Sequence, residues 1–157
     1  MFRICKANHA QTAFSGQGAL RYAGRWHHAG TAVVYTSESR ALAALEQLVH
    51  LQRSRLPPHF VCFAIEIPDA IARRRIELGE LPPDWRQQPG PAALRDLGTR
   101  WFCAAETVCL ELPSAIVPRE HNYLLNPQHS DFARLAISAP ELFEFDERIL
   151  GWVNASS

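Results

Sequence analysis

The sequence is short of cysteine, of net charge and of long apolar runs, and each shortage excludes something. Its 157 residues hold four cysteines, Cys5, Cys62, Cys103 and Cys109, widely spaced and without a C-x-x-C pair. Thiolate metal centres and dithiol redox chemistry therefore lack their usual pattern. Cys62 and Cys109 sit in apolar runs and read as small buried hydrophobes. Sixteen acidic residues balance sixteen basic ones, which removes the global electrostatic footprint of a nucleic-acid binder. The one basic cluster, Arg73-Arg74-Arg75, lies between Ile71 and Ile76 and reads as the solvated face of a short element. No apolar run approaches the roughly 20 residues of a membrane-spanning helix. The first residues do not form a basic segment followed by an apolar one. The expectation is a reduced, cytoplasmic protein with no membrane partner.

Catalytic motifs are also scarce. Ser114 has no G-x-S-x-G elbow around it. His27, His28, His121 and His129 do not make a ligand spacing, so no metal site is expected. No P-loop or dinucleotide fingerprint is present: Gly16 and Gly18 are followed by Leu20 to Tyr22, which read as a short strand.

An apolar fraction of 47% in 157 residues is enough for one domain, 1–157, burying roughly 70% of its unfolded surface. Strands are expected at Phe2 to Cys5, Ala32 to Thr36, Phe60 to Ile67, Val108 to Leu112, Tyr123 to Leu125 and Leu142 to Phe145. A helix is expected from about Arg40 to Arg53, capped by Ser37 or Ser39, with apolar residues at 41, 42, 45, 48 and 49 and its end at Pro57 and Pro58. A second helix runs from Ala92 to Ala105, weakened by Gly98. Residues Pro82 to Pro91 read as a proline-rich, polar surface loop. Short strands interleaved with two convincing helices predict an α+β fold rather than a doubly wound sheet.

Three polar residues in the first third are not explained by their surroundings. Arg25 lies between Gly24 and Trp26, where the backbone can approach a ligand and a guanidinium can clamp phosphate; stacking on Trp26 or pairing with a carboxylate would equally explain it. Tyr35 ends an apolar strand, a common place for a tyrosine with a buried ring and a wet hydroxyl, yet the strand leads straight into the helix that carries Glu46. Glu46 falls roughly 40° from Leu42 on the helical wheel, at about 100° per residue. It borders the apolar stripe, where a carboxylate must be paired or functional. Arg25, His50 and Arg53 are the candidate partners. Ser114, after Pro113 at a strand end, is a cap or a ligand contact, and Glu120, Asn122, Asn126 and His129 follow it.

These residues resemble the RES domain family. The resemblance is carried by Arg25-Trp26, by Ala32-Val33-Val34-Tyr35-Thr36-Ser37, by Ala41-Leu42-Ala43-Ala44-Leu45-Glu46, by Leu112-Pro113-Ser114-Ala115 and by Asn126-Pro127. It spans about Phe2 to Ile149. The family's arginine, glutamate and serine map onto Arg25, Glu46 and Ser114, and its tyrosine onto Tyr35. The family usually has asparagine where this chain has His27.

The resemblance implies an ADP-ribosyltransferase-like fold with short mixed or antiparallel sheets. It also implies a toxin of a bacterial toxin–antitoxin pair that cleaves the nicotinamide–ribose bond of NAD+. NAD+ is then a substrate, and no cofactor is expected. The expected partner is an Xre-type antitoxin, with a homodimer inside the complex as a further possibility and DNA reached only through the antitoxin. Cleavage of that bond builds positive charge on the ribose, which a carboxylate stabilises. That role falls to Glu46; Arg25 would clamp the pyrophosphate, Tyr35 would pack on the nicotinamide half, and Ser114 would orient that half or Glu46. Water, phosphate or a protein side chain could be the acceptor. An ADP-ribosyltransferase acting on protein and a non-catalytic nucleotide-binding module are the competing readings. Trp85 and Trp152 are candidates for an interface with the antitoxin or a second copy, or for peripheral packing near loops and termini.

Overall fold

The computed structural model describes residues 1–50 and 59–149. The expected helix end at Pro57-Pro58, Arg53, the side chain of His50, and Trp152 lie outside the described residues.

The chain opens with strand β1 (Phe2–Lys6), a 3-10 turn (Ala7–Thr12) and a short helix α1 (Gln17–Arg21). Strand β2 (Val34–Ser37) leads into helix α2 (Arg40–His50), followed by β3 (Phe60–Glu66) and β4 (Arg73–Arg75). Helix α3 (Ala92–Ala104) precedes β5 (Cys109–Pro113), β6 (His121–Leu125), β7 (Ala136–Ile137) and β8 (Glu141–Phe143). One sheet joins the strands in the order β4-β5-β6-β2-β1-β3-β7, with β8 also on β3. Only β4 and β5 run parallel; the other pairs are antiparallel. The α+β, ADP-ribosyltransferase-like class expected from the sequence is the one observed.

Alternation assigns the side chains to faces. Val34 pairs with Leu125 and Leu125 with Cys109, and these join Phe63 and Ile65 in one core layer. The next residues along, Leu124, Leu110 and Leu112, face the other way and pack with Trp26, Trp85, Leu94 and Trp101. A third cluster, Ile4, Ala43, Phe60 and Cys62, seats α2 on β1 and β3. Both faces of β3 are thus covered.

Four expectations need correction. Leu20 to Tyr22 is not a strand: Gly16 turns the chain with φ +70°, and Leu20 and Tyr22 donate their N–H groups to the carbonyls of Gly16 and Gly18 in helical register. Of the expected α2 stripe at 41, 42, 45, 48 and 49, Leu42 is buried and Leu48 half-buried, while Ala41, Leu45 and Val49 are exposed; Ala43 is the other buried residue, and Glu46 and Gln47 are half-buried. The 82–91 segment is not a plain surface loop, because Leu81 and Trp85 are buried beneath it. Trp85 packs on Trp26 with ring centroids 6.5 Å apart, so it is no exposed interface residue. Arg73, Arg74 and Arg75 are exposed along β4. Ser39 is the α2 cap, its hydroxyl accepting from Leu42 N–H at 3.0 Å, as a serine at that position should.

Candidate active site

The sheet face that carries Leu110, Leu112 and Leu124 also carries polar residues at its α2 end. Ser37 pairs with Asn122, and Asn122 with Leu112, which puts Ser37 and Asn122 side by side beneath α2. The Ser37 hydroxyl donates to Asn122 Oδ1 at 2.6 Å, so the amide nitrogen of Asn122 turns outward. It makes a short hydrogen bond to Glu46 Oε1. Ser114 Oγ donates to that same Oε1 at 3.2 Å and itself accepts from the N–H groups of Ile116 and Val117, both at 3.1 Å. Two donors thus hold Oε1 while Oε2 has no partner among the described residues. Oε1 is anchored, and Glu46 lines the adjoining cleft.

That cleft has a volume of about 750 Å³, within the range of about 300–1,000 Å³ usual for small-molecule sites. Glu46 is its one acidic lining residue, against Arg3, Arg25, Arg86 and Arg95. None of these four arginines is salt-bridged among the described residues. Arg25 donates to the carbonyls of Trp85 and Gln87 at 2.8 and 2.9 Å and to Gln88 Oε1 at 2.8 Å. Arg86 donates to Ala115 O and Arg95 to Gly90 O. Neutral acceptors fix the guanidinium planes without cancelling their charge. The cleft therefore carries more positive than negative charge on its lining, and the 82–91 segment forms part of its wall through Arg86, Gln88, Pro89 and Gly90.

Tyr35 and His27 form a locked pair. A backbone carbonyl can only accept, so the 3.0 Å contact between His27 Nε2 and Tyr22 O places the imidazole proton on Nε2. Nδ1 then accepts from the Tyr35 hydroxyl at 2.8 Å, and that oxygen accepts from Trp26 N–H at 3.2 Å. Gly24 makes the arrangement possible: a Cβ there would lie 2.6 Å from the His27 ring and 2.7 Å from the Tyr35 hydroxyl. Burial raises the Tyr35 pKa far above its ordinary value, so the phenol stays neutral. Burial likewise pushes His27 below its ordinary 6.5, outweighing the bond to Tyr22. The unfolded chain then binds this proton more readily than the folded one. The linked stability is present above the unfolded pKa and is lost as pH falls below it. His27→Asn is expected to flatten the decline in stability between pH 7 and 5, read by urea unfolding at several pH values.

The structure brings Arg25, Tyr35 and Glu46 to one cleft. Arg25 neither stacks on Trp26 nor pairs with a carboxylate; its donors go to the 85–88 backbone and Gln88. Ser114 is fully buried and is not among the residues lining the cleft; of its two expected contacts, the nicotinamide half or Glu46, the one present is with Glu46. Ser114→Ala should lower kcat about tenfold with KM nearly unchanged. It should also cost about 1–3 kcal/mol of stability, because two backbone N–H groups lose their acceptor; steady-state kinetics and urea unfolding check both.

Ser37, Arg86 and Arg95 are the site residues that sequence reasoning passed over, and it notes Asn122 only as following Ser114, with no role. Asn122 had a legible signal, since it alternates with Leu124 toward the buried face. Glu120 lies 3.4 Å from the Ser39 hydroxyl, Asn126 closes a turn onto Gln128 N–H and His129 accepts from Asp131 N–H; none lines the cleft. Among the described residues no group of three or more His, Cys, Asp or Glu is placed to hold a metal ion, and no helix is long and apolar enough to cross a membrane.

An α+β sheet of ADP-ribosyltransferase type, with a braced glutamate facing arginines across a cleft, defines the class. The RES domain model matches residues 1–146. The chain is 39% identical over 150 residues to "Toxin Res" of Yersinia enterocolitica, covering 95% of this chain and 98% of that protein. It is 37% identical over 138 residues to "Prs ADP-ribosylating toxin" of Sphingobium sp., covering 87% and 86%. The fold is shared with a chain of the M. tuberculosis MbcT-MbcA toxin-antitoxin complex, at a TM-score of 0.72 and 16% identity over 98% of this chain and 87% of that one. The chain belongs to the RES domain family.

Proposed function

We propose that this protein is the toxin of a toxin–antitoxin pair and that it cleaves the nicotinamide–ribose bond of NAD+, with water or inorganic phosphate as acceptor. The carrying observation is Glu46, whose Oε1 is held by Ser114 and Asn122 while Oε2 has no partner among the described residues, at the wall of an arginine-lined cleft. In the reaction the C1′–N bond breaks and its electron pair leaves with nicotinamide as a neutral pyridine, so no general acid is required. The positive charge that develops on the ribose faces the free oxygen of Glu46, which also accepts from the 2′-hydroxyl. Such fixed opposite charge is the largest single source of catalysis available here. Arg25, Arg86 and Arg95 neutralise the pyrophosphate, and Tyr35 packs against the nicotinamide end. NAD+ is consumed as a substrate.

The toxin reading draws support from the names of the relatives. The partner would be an antitoxin of Xre type that covers the cleft; DNA would be reached only through it, and a homodimer of the toxin would fit inside such a complex. The complex is expected to release no nicotinamide while the free chain does; equal activity of the two would remove the covering role.

The test is nicotinamide release from NAD+ by the purified chain, with and without phosphate. No release by the folded chain alone, but release once a protein acceptor is added, would instead establish the protein-modifying reading that the name of the Sphingobium relative suggests. Tight NAD+ binding without any release would leave a binding module.

A further inference from the structure

Arg3 is a half-buried charge for which neither the core nor the proposed reaction has a use. It sits on β1 where β1 and β2 pair at a single register position, Phe2 with Ser37, so the two strands part beside it. Its Nη1 donates to Tyr35 O at 2.7 Å, and its Nε is the one buried side-chain polar atom without a hydrogen-bond partner among the described residues. A guanidinium stays charged even when burial lowers its pKa, as it does here, and no carboxylate is paired with Arg3 among the described residues.

A second cavity of about 190 Å³ adjoins it, walled by Arg3, Thr12, Gln17, Tyr22, His27 and Tyr35 and lined by no acidic residue. The volume lies below the roughly 300 Å³ at which ordinary small-molecule sites begin, so a small ion fits and a dinucleotide does not. His27 and the Tyr35 hydroxyl are already committed to each other and to Tyr22, which leaves Arg3 as the charged donor. Arg3 and Tyr35 line the larger cleft as well, so an ion held here borders it.

We propose that this cavity binds one oxyanion of inorganic-phosphate size on Arg3, at a subsite separate from the arginines that face the pyrophosphate. The inference rests on the NAD+ reading for its biological purpose alone; binding itself requires no turnover.

The test is thermal unfolding with phosphate against chloride at matched ionic strength. Phosphate should raise the Tm of the wild type and of Arg25→Met, and Arg3→Met should abolish the rise. Arg3→Lys, which keeps the charge without the forked donors, should bind phosphate about tenfold more weakly, and it decides the matter if Arg3→Met does not fold. In Glu46→Gln, saturating NAD+ should leave the phosphate response in place. No response in the wild type, a response that survives in Arg3→Met, wild-type affinity in Arg3→Lys, loss in Arg25→Met, or competition by NAD+ would each overturn the proposal. None of these outcomes touches NAD+ cleavage, which nicotinamide release tests separately.

Discussion

Glu46→Gln is expected to lower kcat for nicotinamide release by on the order of 10²–10³-fold, or about 3–4 kcal/mol, while the protein remains folded. Local hydrogen bonding explains why so small a change should be so damaging. Ser114 and Asn122 both donate to Oε1, so a glutamine must place its amide oxygen there to satisfy them. Its NH2 group then occupies the position of Oε2. The group facing the ligand changes from an anionic acceptor to a neutral donor, while every contact beneath it is retained. A developing cationic ribose loses its counter-charge, and the 2′-hydroxyl loses its acceptor. KM should move little, because the arginines that bind the pyrophosphate are untouched. The measurement is kcat and KM for nicotinamide release beside thermal unfolding of both proteins. A Glu46→Gln protein that keeps activity within a few-fold of wild type would take the reaction away from Glu46. Loss of activity together with loss of the fold would call for Glu46→Asp, which preserves the charge but withdraws it from the ribose.

Much of this site was legible because its residues break local rules. A carboxylate on the buried border of a helix and an arginine between a glycine and a tryptophan both conflict with their neighbourhoods, and such conflicts mark function. The strands that carry Tyr35, Cys62 and Cys109 followed from β-branched and apolar runs, and α3 ended one residue from its expected limit. The unread parts depend on long-range contacts. Glu46 is held by Ser114 and Asn122, which lie 68 and 76 residues away in sequence, a separation at which no local pattern announces a partner. Residues 82–91 read as solvent-facing because prolines, an aspartate and glutamines dominate them, yet Trp85 anchors the segment on Trp26 and its backbone supplies the carbonyls that hold Arg25. Helical periodicity gave Leu45 and Val49 the same weight as Leu42, although only the position of α2 over β1 and β2 decides which line of residues meets the sheet.

Gly98 is where packing and site geometry are joined, and Gly98→Ala should damage both. Helix propensity alone predicts a gain of up to about 1 kcal/mol from this change. In the structure a Cβ at position 98 would lie 1.9 Å from Trp26 O and 3.0 Å from Trp26 C. These are backbone atoms of the turn that carries Arg25, and no rotamer change relieves them. Either α3 or the turn must move. The turn is tied to α3 by Thr99 Oγ1, which accepts from His28 N–H at 3.0 Å, and by the 2.7 Å pair of His28 with Asp96, so separation breaks those contacts as well. Overpacking against a rigid partner costs about 3 kcal/mol, which outweighs the propensity gain. A net loss of about 2 kcal/mol corresponds to a fall in Tm on the order of 5 °C. Displacing the turn also shifts Arg25 away from the acceptors at 85–88, so KM for NAD+ should rise several-fold while kcat falls less. Gly79→Ala, where a Cβ meets nothing, is the control and should change neither quantity. A Gly98→Ala protein as stable as wild type would mean that α3 can yield at this contact. The close approach of α3 to the Arg25 turn would then not be what holds the cleft in shape.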